Sequence, residues 1–503
     1  MTELGSFSLV LHSHLPWVAH HGSWPVGEEW LHQAFTGSWQ RIVWMLETLG
    51  EQGHSDVATL GVTPVLAAML DDPYCLDELY GWVGRWQLRA EELALRADDP
   101  QLQAVAAHER AAAVRSLDDV RARWLSGGLS GRLRPLVEAG VVQVLSGPAT
   151  HPFQPLLTER FAAAQLTTGL SDTALRLGSR STGIWAPECG YAPGLEELYQ
   201  RAGISHFVVD GPALAGRTGA GVRVGDSDVV AFARDRPLTQ QVWSARSGYP
   251  SGAAYRDFHA VDPASGIRVS RVTDVDLPSS GKREWLPARS AAQTQSDAHR
   301  FVAAVCRRLE QLRHDPAVEG EPLVVAAFDT ELFGHWWYEG PDFLAAVLRL
   351  LPQAGVRLRT LAGALEAGLV SGRVELGPSS WGAGQDWRVW DNEQVADLVA
   401  VTAEVQKRLF ELVDRGADGW QARDEALDQL ARQAMLLSSS DWAFMVTRDS
   451  AAGYARQRAA DHAADFDRLA RLLEHGDRSA ASDEARRQRV RDGLFGHLDV
   501  RGF

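Results

Sequence analysis

The sequence predicts an α/β protein in which helices cover a mostly parallel sheet and an all-helical region follows. Short apolar runs of strand length recur along most of the chain, with helical segments between them. Polar or aromatic clusters follow most of these runs. From about Asp391 the strand pattern stops, and amphipathic helical periodicity continues instead.

The candidate strands end at clusters that carry chemistry. In parallel α/β architectures the loops after the strand carboxyl ends build the site, so clusters far apart in sequence are expected to converge on one mouth. The clusters are HSHLP, SGPATHP, WAPECGY, FARD and DTELFGHWW. The predicted strands span residues 7–11, 57–61, 141–145, 183–185, 206–209, 229–232, 267–272, 323–328 and 356–358.

Two domains are predicted. Residues 1–390 form the catalytic domain, and an Ala/Leu/Arg-rich stretch around 78–125 forms a helical insertion outside the sheet. Residues 391–503 form a helical C-terminal domain that contributes to the active-site cleft. Its predicted helices span 392–415, 423–437 and 451–474, and a loop over 475–482 precedes a short basic helix.

Composition excludes several classes of function. The 503 residues are 45% hydrophobic, enough for a large core, and no signal peptide or membrane-spanning run is visible, so a cytoplasmic protein that does not bind membranes is expected. Three cysteines are too few for a disulfide framework or a zinc cluster. A net charge of −15 argues against nucleic acid as a partner. The 18 tryptophans, many in predicted loops, suit stacking on sugar faces, although buried tryptophan is the commoner use.

Glu188 and Asp329 form the strongest candidate catalytic pair. Each carboxyl follows a predicted strand and is flanked by tryptophan and histidine. Glycoside cleavage needs two carboxyls, one beside the anomeric carbon and one that protonates the leaving oxygen. The apolar run before Asp329 is expected to raise its pKa by partial desolvation. The alternative is that both carboxylates merely cap the helices that follow them.

Histidines mark two further strand ends. His12 and His14 lie two residues apart and share a face of the strand terminus, and His151 occupies another strand-end loop. Three roles are open for these histidines: they bind a metal, they hydrogen-bond sugar hydroxyls, or they have only a structural role. Without an evident third and fourth ligand, no metal and no cofactor are predicted.

Three tryptophan-bearing stretches complete the candidate site. KREWLP carries Trp285, the Gly-rich SSWGAGQDWRVWDN loop carries Trp381 and Trp390, and SSSDWAF carries Asp441 and Trp442. Trp442 is expected to end a helix, where interdomain packing is the alternative to substrate contact. A Gly/Ser/Tyr-rich segment over residues 241–258 resembles a mobile loop that closes over a site.

The ordered motifs resemble glycoside hydrolase family 57. HSHLP, PATHPFQPLL, WAPECGY, FDTELFGHWW and SSDWAF occur in the family's order, and the similarity runs from His12 to about Phe444. Within the family, the DTELFGHWW block, the SSWG loop and the SSDW segment are most similar to 1,4-α-glucan branching enzymes. The resemblance implies an incomplete (β/α)7 barrel with a helical C-terminal domain, and a retaining, metal-independent mechanism.

The resemblance also implies roles for residues. It makes Glu188 the nucleophile and Asp329 the general acid/base, and it places the loop tyrosine at Tyr249. Ala383, Gln385 and Ala443 depart from the family's usual residues, which puts chain-length preference in doubt. The residues expected to bind the glucan are His12, His14, His151, Trp185, Tyr249, Trp285, His335, Trp336, Trp381, Trp390, Asp441 and Trp442.

The expected function is therefore branching of an α-glucan such as amylose or glycogen. The enzyme would cleave an α-1,4 bond and transfer the segment to a 6-hydroxyl. Alternatives on the same fold are a 4-α-glucanotransferase and an α-amylase. A metal-dependent polysaccharide deacetylase and a non-catalytic glucan-binding protein are more distant ones.

Overall fold

A computed structural model describes residues 3–23, 26–97, 99–416 and 422–503. Its strands correspond closely to the apolar runs of the sequence. They are β1 Gly5–Ser13, β2 Ala58–Val62, β3 Val142–Leu145, β4 Gly183–Ile184, β5 His206–Asp210, β6 Gly221–Val224, β7 Val230–Arg234, β8 Leu323–Asp329, β9 Val356–Leu358 and β10 Val370–Val374.

Seven parallel strands form a ring. β1 pairs with β2 and β8, β2 pairs with β3, and β5 pairs with β4 and β7, all in parallel. Two weaker junctions complete the circuit: a single bridge joins Ser146 to Ile184, and Asp235 N donates to Val325 O at 2.8 Å. A closed ring of buried parallel strands explains the continuous apolar runs. This architecture agrees with the incomplete (β/α)7 barrel expected from the sequence.

Three strands lie outside the ring. β9 pairs with the start of β1, while β6 lies antiparallel to β7 and carries β10 at its other edge. The predicted strands did not include β6 or β10. The predicted strand at residues 267–272 is wrong: only isolated bridges from Arg271 to Arg256 and from Ser270 to Glu284 form there. The apolar residues of that segment pack within a loop and do not pair in a β-ladder.

Helices cover the outside of the ring. Those of the first part of the chain often begin at an Asp or Thr side chain followed by proline, as at Asp72, Asp99 and Thr63, which cap their own helices. They are α1 Glu28–Ala34, α2 Gln40–Glu51, α3 Pro64–Leu70, α4 Pro73–Arg96, α5 Pro100–Asp119, α6 Leu125–Glu138, α7 Glu159–Leu177, α8 Leu195–Arg201, α9 Arg236–Trp243, α10 Pro287–Arg313, α11 Gly340–Gln353 and α12 Leu361–Glu366.

The helical insertion consists of α4 and α5, which pack against each other. A five-residue π-helical segment, Val120–Trp124, connects α5 to α6, so helix continues beyond the predicted end of the insertion. A second π-helical segment, Phe35–Trp39, links α1 to α2. π-Helical turns often occur at functional sites, and this one packs on the loop after β8.

The C-terminal region is helical throughout its described elements. These are α13 Ala396–Gly416, α14 Glu425–Leu437, α15 Ser440–Arg448, α16 Ala452–Glu474 and α17 Arg478–Arg489. α15 was not predicted. Asp441 and Trp442 lie in its first turn, whereas Trp442 was expected to be the residue at which a helix ends. Within the described residues, no helix is both long and apolar enough to span a bilayer.

Candidate active site

The carboxyl ends of the ring strands and the N-terminus of α15 meet at one mouth. In the β1–β8 register His12 is directly opposite Asp329, and β4 leads into the turn that carries Glu188. An antiparallel bridge from Pro152 to Ser439 attaches the helical region to the loop after β3. Segments separated by hundreds of residues therefore share one cleft.

Glu188 is held by two hydrogen bonds from different parts of the chain. Its Oε2 accepts from Trp381 Nε1 at 2.9 Å, and its Oε1 accepts from Ser440 Oγ at 2.9 Å. Burial raises the pKa of the Glu188 carboxyl, while the bond from Trp381 and that from Ser440 oppose the shift. Both oxygens are thus oriented by donors that favour the carboxylate.

The turn that carries Glu188 is strained. Glu188 and Cys189 have φ of 60° and 50°, in the left-handed region that side chains other than glycine rarely adopt. Pro187 fixes the approach to the turn, and Trp381 N donates to Glu188 O at 2.9 Å. Backbone strain held by surrounding contacts is typical of sites where a side chain must be aimed.

A chain of hydrogen bonds connects the histidines to Glu188. His12 Nε2 lies 3.1 Å from His151 Nε2, and His151 Nδ1 lies 3.0 Å from Ser440 Oγ. Burial and neighbouring histidines hold the pKa of both His12 and His151 well below the usual value, so both rings are neutral. Because Ser440 donates to Glu188, His151 must donate from Nδ1 and accept at Nε2 from His12. The tautomers are therefore determined along the whole chain.

His14, His151 and Asp441 form a compact group beside this chain. His14 Nε2 lies 2.8 Å from Asp441 Oδ2, and the His14 and His151 rings stack at 3.8 Å. The three residues offer ligand atoms within 4.8 Å of one another, so they could hold a metal ion, and Asp441 is the third ligand that sequence spacing could not reveal. Their ligand atoms already bond within the protein: His14 Nδ1 lies 3.0 Å from Thr63 Oγ1 and Asp441 Oδ2 accepts from Ser439 Oγ at 2.6 Å. Coordination would have to replace the bond between His14 and Asp441.

Asp329 ends β8 in a different electrostatic environment. Burial, the Glu331 carboxyl and the Glu188 carboxyl raise the pKa of Asp329 well above its usual value, and only Arg234 opposes them. Glu331 accepts from Trp39 Nε1 at 2.7 Å and from His14 N at 3.3 Å, and burial raises its own pKa to about 7. The surroundings of Asp329 therefore favour its protonated form, whereas two hydrogen-bond donors oppose that form at Glu188.

Aromatic rings line the mouth beside the carboxyls. Trp185 stacks on His12 at 4.4 Å, and Trp381 meets the Trp185 ring edge-on at 5.0 Å. Trp243 lies 6.4 Å from Trp381, and the Arg234 guanidinium lies 5.4 Å from the Trp381 centroid. Trp381 thus contacts the carboxylate through its N–H and the cleft through its ring.

Some predicted binding residues lie elsewhere. Trp285 is buried and donates to Glu339 Oε1 at 2.8 Å, while His335 and Trp336 line a separate cavity between the insertion and the loop after β8. Tyr249 lies 5.5 Å from the Phe343 ring and near Phe301, against α10 and α11. The structure does not bring these four residues to the Glu188 group.

Two further tryptophans are buried near the mouth. Trp390 stacks on Phe153 at 4.5 Å, in the same loop region as Trp381. Trp442 donates to Leu436 O at 2.9 Å, and its ring faces His462 within the helical region. The latter arrangement is the packing alternative considered for Trp442.

The sequence reasoning missed Ser440, Glu331 and Arg234. All three lie inside motifs already singled out: Ser440 precedes Asp441, Glu331 follows Asp329 by two positions, and Arg234 belongs to FARD. Arg234 Nε donates to Asp210 Oδ1 at 3.0 Å, which holds the guanidinium at the mouth. Position within a motif was therefore the available signal.

Sequence profiles and known proteins match the whole chain. The profile of glycosyl hydrolase family 57 matches residues 8–367, and the profile described as 1,4-alpha-glucan branching enzyme, C-terminal, matches residues 402–503. A probable 1,4-alpha-glucan branching enzyme, Rv3031, of Mycobacterium tuberculosis is 48% identical over 99% of this chain and 98% of the relative.

Solved structures share the complete architecture. The GH57-type branching enzyme from Pyrococcus horikoshii superposes with a TM-score of 0.91 at 30% identity, covering 99% of this chain and 96% of that one. The α-amylase AmyC from Thermotoga maritima superposes with a TM-score of 0.85 at 26% identity, covering 99% and 98%. The predicted fold class is therefore confirmed.

Proposed function

Because the chain belongs to glycosyl hydrolase family 57, we propose that it is a retaining 1,4-α-glucan branching enzyme. It cleaves an α-1,4-linked glucan and transfers the cut segment to a 6-hydroxyl of an acceptor glucan, which forms an α-1,6 branch. Full-length identity of 48% to a probable enzyme of this activity carries the proposal. The arrangement of Glu188 and Asp329 supplies its chemistry.

In the first step Glu188 attacks and Asp329 protonates. The Glu188 carboxylate forms a bond to the anomeric carbon, the glycosidic bond breaks, and the Asp329 proton passes to the leaving oxygen. The surroundings suit this division, because the donors from Trp381 and Ser440 favour ionised Glu188, whereas burial and nearby carboxylates raise the pKa of Asp329 well above its usual value. The product is a β-glucosyl ester on Glu188.

In the second step Asp329 acts as a base. Its carboxylate takes the proton of the acceptor 6-hydroxyl, whose oxygen attacks the anomeric carbon and releases Glu188. Two inversions leave the new bond in the α configuration. The neutral chain from His12 through His151 to Ser440 holds Glu188 in one orientation through both steps without adding charge.

Hydrolysis is the competing outcome at the same site. Water in place of the 6-hydroxyl would make the protein an α-amylase, the activity stated for the Thermotoga maritima relative. The two outcomes differ in acceptor positioning and water exclusion rather than in the catalytic pair. A 4-hydroxyl acceptor would give a 4-α-glucanotransferase.

Linkage analysis of the product tests the proposal. After incubation with linear amylose, proton NMR should show new α-1,6 anomeric signals in excess of new reducing ends. Glu188→Gln and Asp329→Asn should each lower the rate by about four orders of magnitude, because each removes one reacting carboxyl. Reducing ends without α-1,6 signals would refute branching, and full activity in Glu188→Gln would refute the nucleophile.

Azide distinguishes the two carboxyl roles. With an α-glucosyl substrate that has a good leaving group, azide should rescue Glu188→Ala by occupying the space of the missing nucleophile, which yields a β-glucosyl azide. Asp329→Asn should yield the α-glucosyl azide, because azide then attacks the ester formed on Glu188. The opposite pair of anomers would exchange the two roles.

A further inference from the structure

A cavity of about 610 Å³ lies between the helical insertion and the loop after β8, apart from the Glu188 group. Its walls come from α2, α4 and α5 and from the segment that includes His335. Six Trp, Tyr and Phe side chains contribute to these walls: Trp44, Trp82, Trp86, Phe258, Trp336 and Tyr338. So many rings around one open space exceed what packing of a helical pair requires.

Carboxylates hold the indole edges of Trp82 and Trp86, and arginine guanidinium groups lie over other rings of the cavity, as Arg115 does over Trp44 at 3.9 Å. Trp82 Nε1 donates to Glu29 Oε2 at 2.8 Å, and Trp86 Nε1 donates to Glu109 Oε2 at 2.9 Å. Trp336 is 42% exposed, which is unusual for so large an apolar side chain. Fixed, partly exposed rings suit ligands that have flat C–H faces.

Some of the charges in the cavity pair within the protein. Arg256 pairs with Glu109 at 2.7 Å, and Arg41 pairs with Asp342 at 3.2 Å. The lining carries six arginines and four carboxylates, which supply donors and acceptors for hydroxyl groups. Arg89 Nε has no partner among the described residues and remains a donor for a hydroxyl oxygen. The exposed Trp336 indole combined with these donors and acceptors suits a polyhydroxylated ligand.

The cavity adjoins the catalytic mouth through one loop. Asp329 begins this loop, and Trp336 follows seven residues later, a span of at most ~25 Å of extended chain. Trp39 donates to Glu331 on the catalytic side, while Thr36 and Gly37 of the same π-helical segment line the cavity. A polymer could therefore occupy both places at once.

We propose that this cavity is a second α-glucan-binding site, which holds a remote part of the polymer while another part reacts at Glu188. The proposal rests on the proposed function for the identity of the polymer. Its physical advantage is effective concentration: a chain held nearby returns to the catalytic mouth more often than a free one. The gain should appear with long glucans and be small with short ones.

Two substitutions test the site without touching the catalytic mouth. Ala112→Trp fills the cavity from α5, and Trp336→Ala removes an exposed platform. Ala104→Trp introduces the same side chain at an exposed position of α5 outside the cavity and serves as the matched control. All variants are made in a Glu188→Gln parent, so that affinity electrophoresis in amylopectin gels measures binding without turnover.

We expect Ala112→Trp and Trp336→Ala each to weaken amylopectin binding by about tenfold, the effect of losing one aromatic contact. In the active enzyme, the same variants should lose more kcat/KM on amylose than on maltoheptaose. The proposal would be overturned if either variant melted like the parent and still bound amylopectin with the parent's affinity. An equal loss of binding in Ala104→Trp, or equal losses of kcat/KM on long and short glucans, would also overturn it. Failure of the wild type to form α-1,6 linkages would instead refute branching, because binding is measured in an inactive chain.

Discussion

Trp381 contacts the Glu188 carboxylate with its indole N–H and the cleft with its ring, so a single residue combines charge stabilisation and shape. A donor to a carboxylate favours the ionised form, and its loss must raise the pKa of that group. The electrostatic part can be separated experimentally, because phenylalanine keeps an aromatic ring but has no N–H.

Trp381→Phe should move the acidic limb of the kcat/KM profile to higher pH by about one unit, since a hydrogen bond to a charged group is lost. The limb moves upward because Glu188 must be ionised to attack. Measurement of kcat/KM from pH 4 to 9 checks this.

Trp387→Phe is the control for this shift. Trp387 lies in the same loop, and its indole nitrogen has no partner among the described residues. The acidic limb of the kcat/KM profile of Trp387→Phe should coincide with that of the wild type. An unmoved limb in Trp381→Phe would mean that the bond to Glu188 contributes nothing to its ionisation.

At the scale of elements, the π-helical segment Phe35–Trp39 and the loop after β8 support each other. Gly37 and Gly334 approach so closely that a Cβ on Gly334 would lie 1.9 Å from Gly37 O, and Gly334 has φ of +108°. This close approach places Trp39 within reach of Glu331, and therefore shapes the surroundings of Asp329.

Gly334→Ala should consequently destabilise the protein more than a simple backbone effect allows. Alanine at positive φ costs about 1–2 kcal/mol, and the clash with Gly37 should add about 2 kcal/mol. Gly320→Ala is the matched control, because Gly320 has φ of +84° and a Cβ added there would have nothing within 4 Å. Urea unfolding measures both, and equal losses would show that the close approach has no energetic weight.

A strand or helix could be predicted from the sequence when the residues that stabilise it lie within the element itself. The strands of the ring are continuous apolar runs because both faces are buried, and this pattern is visible without a structure. β6 and β10 are short strands outside the ring, and their pairing depends on neighbouring strands that are distant in sequence. α15 was missed because its nine residues are too few to show helical periodicity.

For the whole molecule, the Asp329 carboxyl reduces stability at neutral pH, because burial disfavours its ionised form. Asp329 has a folded pKa well above its usual value, so the folded state binds a proton that the unfolded state releases. Stability from this group is present below about pH 4, the unfolded pKa, and is lost as pH rises through the folded pKa. Ionisation at neutral and alkaline pH therefore acts against folding.

Asp329→Asn should raise the melting temperature while abolishing activity, and the increase should be larger at pH 8 than at pH 5, because only the wild type loses the contribution of Asp329 over that range. Differential scanning calorimetry at both pH values measures it.

Asp235→Asn provides the contrast. Asp235 is buried and accepts from Arg308 Nε at 2.6 Å, so its substitution should cost about 3 kcal/mol by leaving that guanidinium unpaired. An Asp329→Asn variant that melts below the wild type at pH 8 would show that the carboxylate stabilises the fold.

The sequence by itself predicted the candidate catalytic residues and their order along the chain. The carboxyls after the fourth and eighth strands, the histidines after the first and third, and the helical end of the protein were all evident from local patterns and motif order. These features could be predicted because strand burial and turn geometry leave patterns over a few neighbouring residues.

Only the tertiary structure decided which of these side chains meet. Ser440 joins His151 to Glu188 across 289 and 252 residues of sequence, whereas His335 and Trp336 line a different cavity from the catalytic pair. No local sequence pattern shows which side chains belong to which cavity, because this depends on how the barrel, the insertion and the C-terminal helices pack. The same packing sets the pKa order of the two carboxyls, since desolvation exists only in the folded chain.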